Sequence, residues 1–572
     1  MALSSMVDNE KIFWRSALFI FALLTSQAVF ATDHIPFGHD HLFHIYRVEG
    51  MAESMSGGQF PVRIVGKSFA GYGEPSGIFY PDLFFYIPAL LRMAGVPLFV
   101  SYNSLCVLIN FATIFLTYWS FNRLLNSTKT AAVCAMIYGG FLYRLIDLYV
   151  RSALGEAIAM AFMPLALISL WLMLNRSGKY WAAVVVGFTG VLQSHVLSSL
   201  MMLGVAIPIA LLNFKRLMRR EVLISTAKAA GVTALLNLWF YVPFISFYDQ
   251  IDFNMKNALK SDDTLHFFSF ELDFFSSMQF FVGWSIFLVL IVFVVQSIRS
   301  KTFKPTWLIM LALGLLTLIV SLKIFPWKAI ESLPMIGKQL GVLQFPFRFI
   351  MLGSIAFAYC AGIALVSLVD NLKGSKWIAL LICFAIAQCN LVFLNESEGK
   401  ASEVNGLVCS WYVVRDDAVF KLCFVDHDAV GYIDYTYDDI TYEDIYEGFA
   451  VEDFFNNLEK PTLLRADDMA PLDVISDYRK TGMTIEFTAR TTEPTLIRLP
   501  MFYYPGYEAT TDDGRSLTVG SIGKHRLTVE VPRGETHVKV EYVDQMSWRA
   551  ALMLSTVGLM GFLMQTRRED LW

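Results

Sequence analysis

Charge is scarce in this 572-residue chain, where Asp, Glu, Lys and Arg make up only 17% of the sequence. Soluble domains carry about 25%, so the composition excludes an ordinary water-soluble protein. A net charge of −5 without a basic surface argues against nucleic acid as a partner. Cysteine is sparse too, and its seven copies form neither a CxxC pair nor a zinc spacing. Cys106, Cys134, Cys360, Cys383 and Cys389 fall in apolar segments and read as small core residues. Cys409 and Cys423 fall in polar sequence, where pairing requires an extracytoplasmic location. The chain has no internal repeat and no low-complexity tract.

Apolar sequence is what the chain has in quantity: 55% hydrophobic, 15% aromatic, mean hydropathy +0.51. A helix crossing a bilayer needs about 20 apolar residues. Scanning for such stretches gives about twelve spans: 12–31, 101–121, 130–142, 153–174, 181–195, 197–212, 222–247, 274–297, 306–324, 347–369, 377–394 and 548–565. Cytoplasmic connectors collect Lys and Arg. The basic connectors are Lys11/Arg15, Arg123/Lys129, Arg176/Lys179, Lys215 to Arg220, Arg299 to Lys304, Lys373/Lys376 and Arg567/Arg568, with two spans between each and the next. All of them, and both termini, are therefore expected in the cytoplasm. "AVFATD", ending at Asp33, is a loose match to a signal-peptidase site, so a retained signal anchor is expected instead.

This topology divides the chain into a transmembrane domain (1–394) with a large first outer loop (32–100), an extracytoplasmic domain (395–546), and a last span with a cytoplasmic tail (547–572). Within the outer domain, 426–468 is acidic and tyrosine-rich, while 482–545 alternates apolar and polar residues between Pro/Gly turns. That alternation predicts a small antiparallel β-sandwich. The cytoplasmic connectors are too short for a nucleotide site, so any chemistry is expected outside. "VGKS" at 65–68 lacks the earlier glycine of a phosphate loop, and the acidic run lacks the EF-hand pattern.

The polar constellations sit at the outer rim. In "GHDHLFHIYRVEG", a helix would place Asp40, His44 and Arg47 on one face. Such groups at a membrane edge are costly unless paired or functional. Asp40 suits a general base and Arg47 an anionic phosphate, while an interfacial amphipathic helix is the plainer reading. His41 and His44 form HxxH, and further clear ligands are missing; a divalent cation (Mg or Mn) stays open as a cofactor. "YRLIDLYVRSALGE" holds Arg144, Asp147, Arg151 and Glu156, either as an ion-pair lock or as a phosphate clamp. His195 in "QSHVLSS" and Arg348 in "LQFPFRF" lie at the outer ends of their spans.

"GHDHLFHIYRVEGMAESMSGGQFPVR", "GYGEPSGIFYPDLFFYIPALL", "YVRSALGEAIAMAFMPLAL", "QFPFRF" and a late "YYPGY…DDG…VPRGETHVKVEY" together resemble the YfhO-like (6-pyruvoyl-tetrahydropterin-synthase-related) bacterial membrane proteins. That family is similar to the C-type (GT-C) glycosyltransferases. The resemblance implies a polytopic α-helical enzyme of the bacterial cytoplasmic membrane, working on its outer face. Its donor would be a polyprenyl-phosphate sugar and its acceptor a glycan or envelope polymer. It places Asp40 at the catalytic acidic position, with Asp33 in reserve. His44, Arg47, Arg144, Asp147, Arg151, Glu156, His195 and Arg348 become the substrate-binding candidates, and residues 80–94 a juxtamembrane helix. "YPDL" departs from the family's two prolines and adds Asp82 as a further carboxylate. The rival is a non-enzymatic transporter or assembly factor. Transporters place polar groups at mid-membrane in broken helices, and here these groups gather at the rim.

Overall fold

The computed structural model describes residues 2–30, 40–66, 73–248, 284–300, 305–322, 324–333, 343, 345–404, 464–465, 475–522 and 526–568. Asp33, Cys409, Cys423 and residues 426–463 of the acidic stretch lie outside the described residues.

The chain is mostly helical, with a small β region near its C-terminal end. Among the described residues six helices are long and apolar enough to cross a membrane: Leu98–Leu125, Leu154–Asn175, Arg220–Tyr248, Pro346–Val369, Ser375–Val392 and Met546–Arg568. Thr128–Gly139 and Leu142–Tyr149, bent by 46° at Gly140–Phe141, make a seventh if counted as one broken span. About twelve were expected. Some of the difference is length: Pro305–Ser321 has 17 residues, which reach about 26 Å against a hydrocarbon core of about 30 Å. The expected spans around 181–195 and 197–212 are likewise the short helices Trp181–Leu192 and Val196–Leu212.

The core forms around Thr128–Gly139, whose residues Ala131 to Tyr138 are all buried. The reason lies in the sequence "TAAVCAMIYGG": small side chains let neighbouring helices approach closely, the packing device available where lipid supplies no hydrophobic drive. The helix lies between Leu98–Leu125 and Phe349–Val369. Ser127 caps its start, accepting from the Thr130 backbone N–H at 3.3 Å.

Among the described residues the β region has nine antiparallel strands: β1 Leu464–Arg465, β2 Ile475–Thr481, β3 Thr484–Thr491, β4 Thr495–Phe502, β5 Tyr507–Thr511, β6 Ser516–Leu517, β7 Val519–Ile522, β8 Arg526–Val531 and β9 Gly534–Tyr542. They form one sheet in the order β2-β3-β9-β5-β6 and another in the order β1-β4-β8-β7. Ile485 and Phe487 pair with Val540 and Val538, and these residues share a core with Ile497, Leu499, Val529 and Val531 of the other sheet. Strands begin before the expected residue 482 because β2, "ISDYRKT", is a polar edge strand without apolar alternation.

The sandwich rests on residues 62–66 and 73–79. Ile64 and Ile78 of those segments, Phe247 and Trp548 all join its core, and the Tyr504 hydroxyl donates to the Gly73 carbonyl at 2.9 Å. Arg63 is fully buried at this joint, with Nη2 3.1 Å from Asp544 and Nη1 donating to the Trp239 carbonyl at 3.2 Å. Gly482 turns β2 into β3 with φ +57°, a left-handed conformation in which a side chain is strained, and its Cβ position lies 3.1 Å from Ser54 Cα. Its N–H donates to Glu53 at 3.3 Å.

Lys480 sits at the same joint and donates to the Pro500 carbonyl at 3.2 Å. Burial lowers its ammonium to about 8, with Glu53 pulling the other way. A lysine with a depressed folded-state value destabilises the fold while charged, so stability should rise as pH climbs from about 8 towards the unfolded value of about 10.4. Lys480→Met should therefore raise the melting temperature at pH 7, with the gain fading by pH 10. A gain that is equal at both pH values would show that the charge is not its source.

Candidate functional site

The helix His41–Ser56 has Asp40 as its N-cap residue. Asp40 is exposed, and its side chain makes no cap hydrogen bond. Its backbone N–H donates to the Arg151 carbonyl at 2.9 Å, which ties the start of this helix to the "YVRSALGE" segment. His44 and Arg47, by contrast, are buried, 1% and 0% exposed. Sequence reasoning expects a phosphate at Arg47. The structure puts Asp82 there as an ion-pair partner, with the Pro81 carbonyl accepting from Arg47 Nη2 at 3.0 Å. The guanidinium lies 3.9 Å from the Phe85 ring centroid and 4.5 Å from that of Tyr80, a cation–π cage. His44 stacks on Phe85. Burial, and then the Arg47 charge, hold its imidazole well below the usual range. Burial raises the Asp82 carboxyl while Arg47 pulls it back.

The second cluster is built where the bent pair meets the next helix. Leu142–Tyr149 carries Arg144 and Asp147, and Leu154–Asn175 carries Glu156 in its first turn. Arg151 pairs with Asp147 one turn earlier and lies 3.3 Å from Glu156 Oε2. Arg348, arriving from the Pro346–Arg348 turn, meets the same Glu156 oxygen at 3.1 Å. The Tyr143 hydroxyl donates to the other Glu156 oxygen. One buried carboxylate thus serves two arginines and a phenol. Arg144 does not join them. It donates to the Gly139 carbonyl at 2.8 Å and to Asn110 at 2.6 Å, bracing the bend against Leu98–Leu125.

Tyr80 joins the two clusters. Its ring centroid is 6.1 Å from that of His44 and 5.7 Å from that of His195. Burial raises its phenol, and Arg47, Asp40, Arg348 and Glu156 all act on it. Gly155 makes this approach possible: a Cβ there would lie 2.3 Å from the Tyr80 hydroxyl and 2.8 Å from the Ser194 carbonyl. The helix Ser76–Phe79, immediately before Tyr80, sends Ile78 into the sandwich core. His195 stands at the start of Val196–Leu212, where its Nδ1 accepts from the Ser198 N–H.

Asp40, Arg151, Glu156, Arg348 and His195 are therefore brought to one place, with Asp147 behind Arg151 and with His44 and Arg47 across Tyr80. Sequence reasoning missed Tyr80, Tyr143, Asn110 and Arg63. The signals available for them were a tyrosine before "PDL", a tyrosine opening the charged cluster, an asparagine inside a span, and an arginine in "PVRIVG".

Residues 12–375 match a family described as "Family of unknown function (DUF6541)". The chain belongs to the DUF6541 family. This description, and not the YfhO-like name, is what the match carries. No curated protein matches the sequence. Among solved structures, the arabinofuranosyltransferase AftD from Mycobacteria is similar with a TM-score of 0.39 and 16% identity, over 72% of this chain and 31% of that one. ArnT from Cupriavidus metallidurans, bound to undecaprenyl phosphate, is similar with a TM-score of 0.36 and 13% identity, over 72% and 69%. EmbB from Mycobacterium smegmatis, an arabinosyltransferase, gives 0.32 and 11%, over 92% and 63%. This chain thus spans about a third of the length of AftD. Likeness at this level assigns no activity to the DUF6541 chain.

Among its described residues no three His, Cys, Asp or Glu side chains gather as a metal site. Asp82, Asp147 and Glu156 are instead matched to guanidinium groups. These arginine-paired carboxylates do not fit a divalent cation.

Proposed function

We propose that this DUF6541 protein is a membrane glycosyltransferase that moves a sugar from a polyprenyl phosphate to a glycan or envelope polymer on the outer face of the bacterial cytoplasmic membrane. The full reading includes about twelve spans and an extracytoplasmic sandwich. The observation that carries it is the exposed Asp40 at the rim, tied through its backbone to Arg151 beside the Glu156–Arg348 pair. Asp40 takes the proton of an acceptor hydroxyl as that oxygen attacks the anomeric carbon. The bond from that carbon to the phosphate oxygen breaks, and the electron pair leaves on the lipid phosphate. Arg151 and Arg348 offset the negative charge that develops on the departing oxygen. The sandwich orients the acceptor.

The test uses the full chain in right-side-out vesicles, supplied with radiolabelled polyprenyl-phosphate sugars and a membrane-impermeant glycan acceptor. Label should pass to the acceptor only when the protein is present. Release of free sugar or none at all, across a panel of sugars, would overturn the proposal. Accumulation of the lipid donor on the opposite side would point to the transporter instead.

A further inference from the structure

His195 is 7% exposed and stands between two helices with its two ring nitrogens in different surroundings. Nδ1 is occupied. It accepts from the Ser198 backbone N–H at 3.3 Å, closing the first turn of Val196–Leu212, and the Ser198 hydroxyl lies 2.8 Å from the same atom. A hydroxyl can turn either way, but a backbone N–H only donates. A proton on Nδ1 would face that hydrogen, so Nδ1 stays bare and the ring proton sits on Nε2. The helix cap thus sets the tautomer.

Nε2 has no hydrogen-bond partner among the described residues. The ring faces Tyr80 at 5.7 Å, and the charges of Arg348, Glu156 and Arg151 all act on it. The fixed donor therefore stands near two guanidinium groups and the one carboxylate they share, Glu156, and at the positive end of a 17-residue helix; the balance is positive and favours an anionic oxygen.

We propose that His195 is a ligand-binding residue that presents a tautomer-locked Nε2–H to a phosphoryl oxygen of a lipid phosphate. The proposed glycosyl transfer supplies the identity of that ligand; the locked tautomer stands without it. A neutral imidazole donor carries no charge of its own to be neutralised when the ligand leaves. Its contribution is direction: one N–H, fixed by the cap.

The experiment uses [15N]histidine-labelled full-length protein in micelles, with farnesyl phosphate as probe and farnesol as control. Without ligand, the His195 nitrogen shifts should report a bare Nδ1 and a protonated Nε2. Farnesyl phosphate should move the Nε2 signal and farnesol should not. His195→Asn keeps a capping oxygen near the Nδ1 position but loses the distal donor. It should melt with the wild type and bind farnesyl phosphate about 10- to 100-fold more weakly, the worth of a hydrogen bond to a charged group. A protonated Nδ1, an equal response to farnesol, or undiminished binding by a normally melting His195→Asn would each overturn the proposal. In the last case farnesyl phosphate still binds, so the transfer reading survives while this one falls. Binding to neither protein would end both. Should His195→Asn fail to fold, the wild-type spectra decide.

Discussion

Asp40→Asn should lower sugar transfer by about 10²-fold or more, the usual size of a general-base contribution, while melting stays at the wild-type value. Asparagine keeps the size and the hydrogen bonding of aspartate and loses its basicity. Little stability is at stake, because the side chain is exposed and makes no cap hydrogen bond to the helix it precedes. Donor binding should change little too, since Arg151 and Arg348 keep their carboxylate partners. The measurement is the rate of label transfer under saturating donor, paired with a melting curve. Full activity in Asp40→Asn together with loss in Asp33→Asn would move the base to Asp33. Full activity in both would remove a carboxylate base of the first outer loop from the mechanism.

Glu156→Gln should cost the most stability of any single change at the site. Glu156 is 1% exposed and accepts from Tyr143 while pairing with Arg151 and Arg348. Losing its charge leaves two buried guanidinium groups beside a single remaining carboxylate, Asp147, the ion-pair partner of Arg151. Breaking a buried pair from one side typically costs about 3–5 kcal/mol, a drop that thermal unfolding in detergent would show plainly. The double variant Glu156→Leu with Arg348→Met should recover part of it, because it removes one buried cation together with the carboxylate that balanced it. A wild-type melting point for Glu156→Gln would mean that the lock holds nothing. Recovery of stability without recovery of transfer in the double variant would separate the structural role of the pair from its role at the donor phosphate.

The charged clusters were legible in the sequence because charge is so rare here: any Arg, Asp or Glu at the end of an apolar run announces a paired or working group. Partner choice was not legible. Arg47 and Asp82 are 35 residues apart and Glu156 and Arg348 are 192 apart; which of several nearby arginines meets a carboxylate depends on the bend at Gly140, and that bend leaves only a glycine pair in the sequence. Tyr80 escaped notice for a related reason, since its role rests on the missing side chain of Gly155. In the β region, β3 and β9 alternate and were readable, whereas the polar edge strand β2 carries no burial signal at all. Span counting suffers from the same blindness to bends, because a window of apolar residues looks alike whether its helix runs straight or folds back.

The four-residue helix Ser76–Phe79 has Ile78 seated in the sandwich core, and the next residue but one, Tyr80, stands between the two charged clusters. This makes the sandwich part of an interlock. Lifting it would drag Tyr80 out from between Arg47 and His195, so the two charged clusters are joined only while the sandwich is seated. A chain whose sandwich had not yet folded would lack that joint, and the proposed transfer would wait on a part of the chain that is made late.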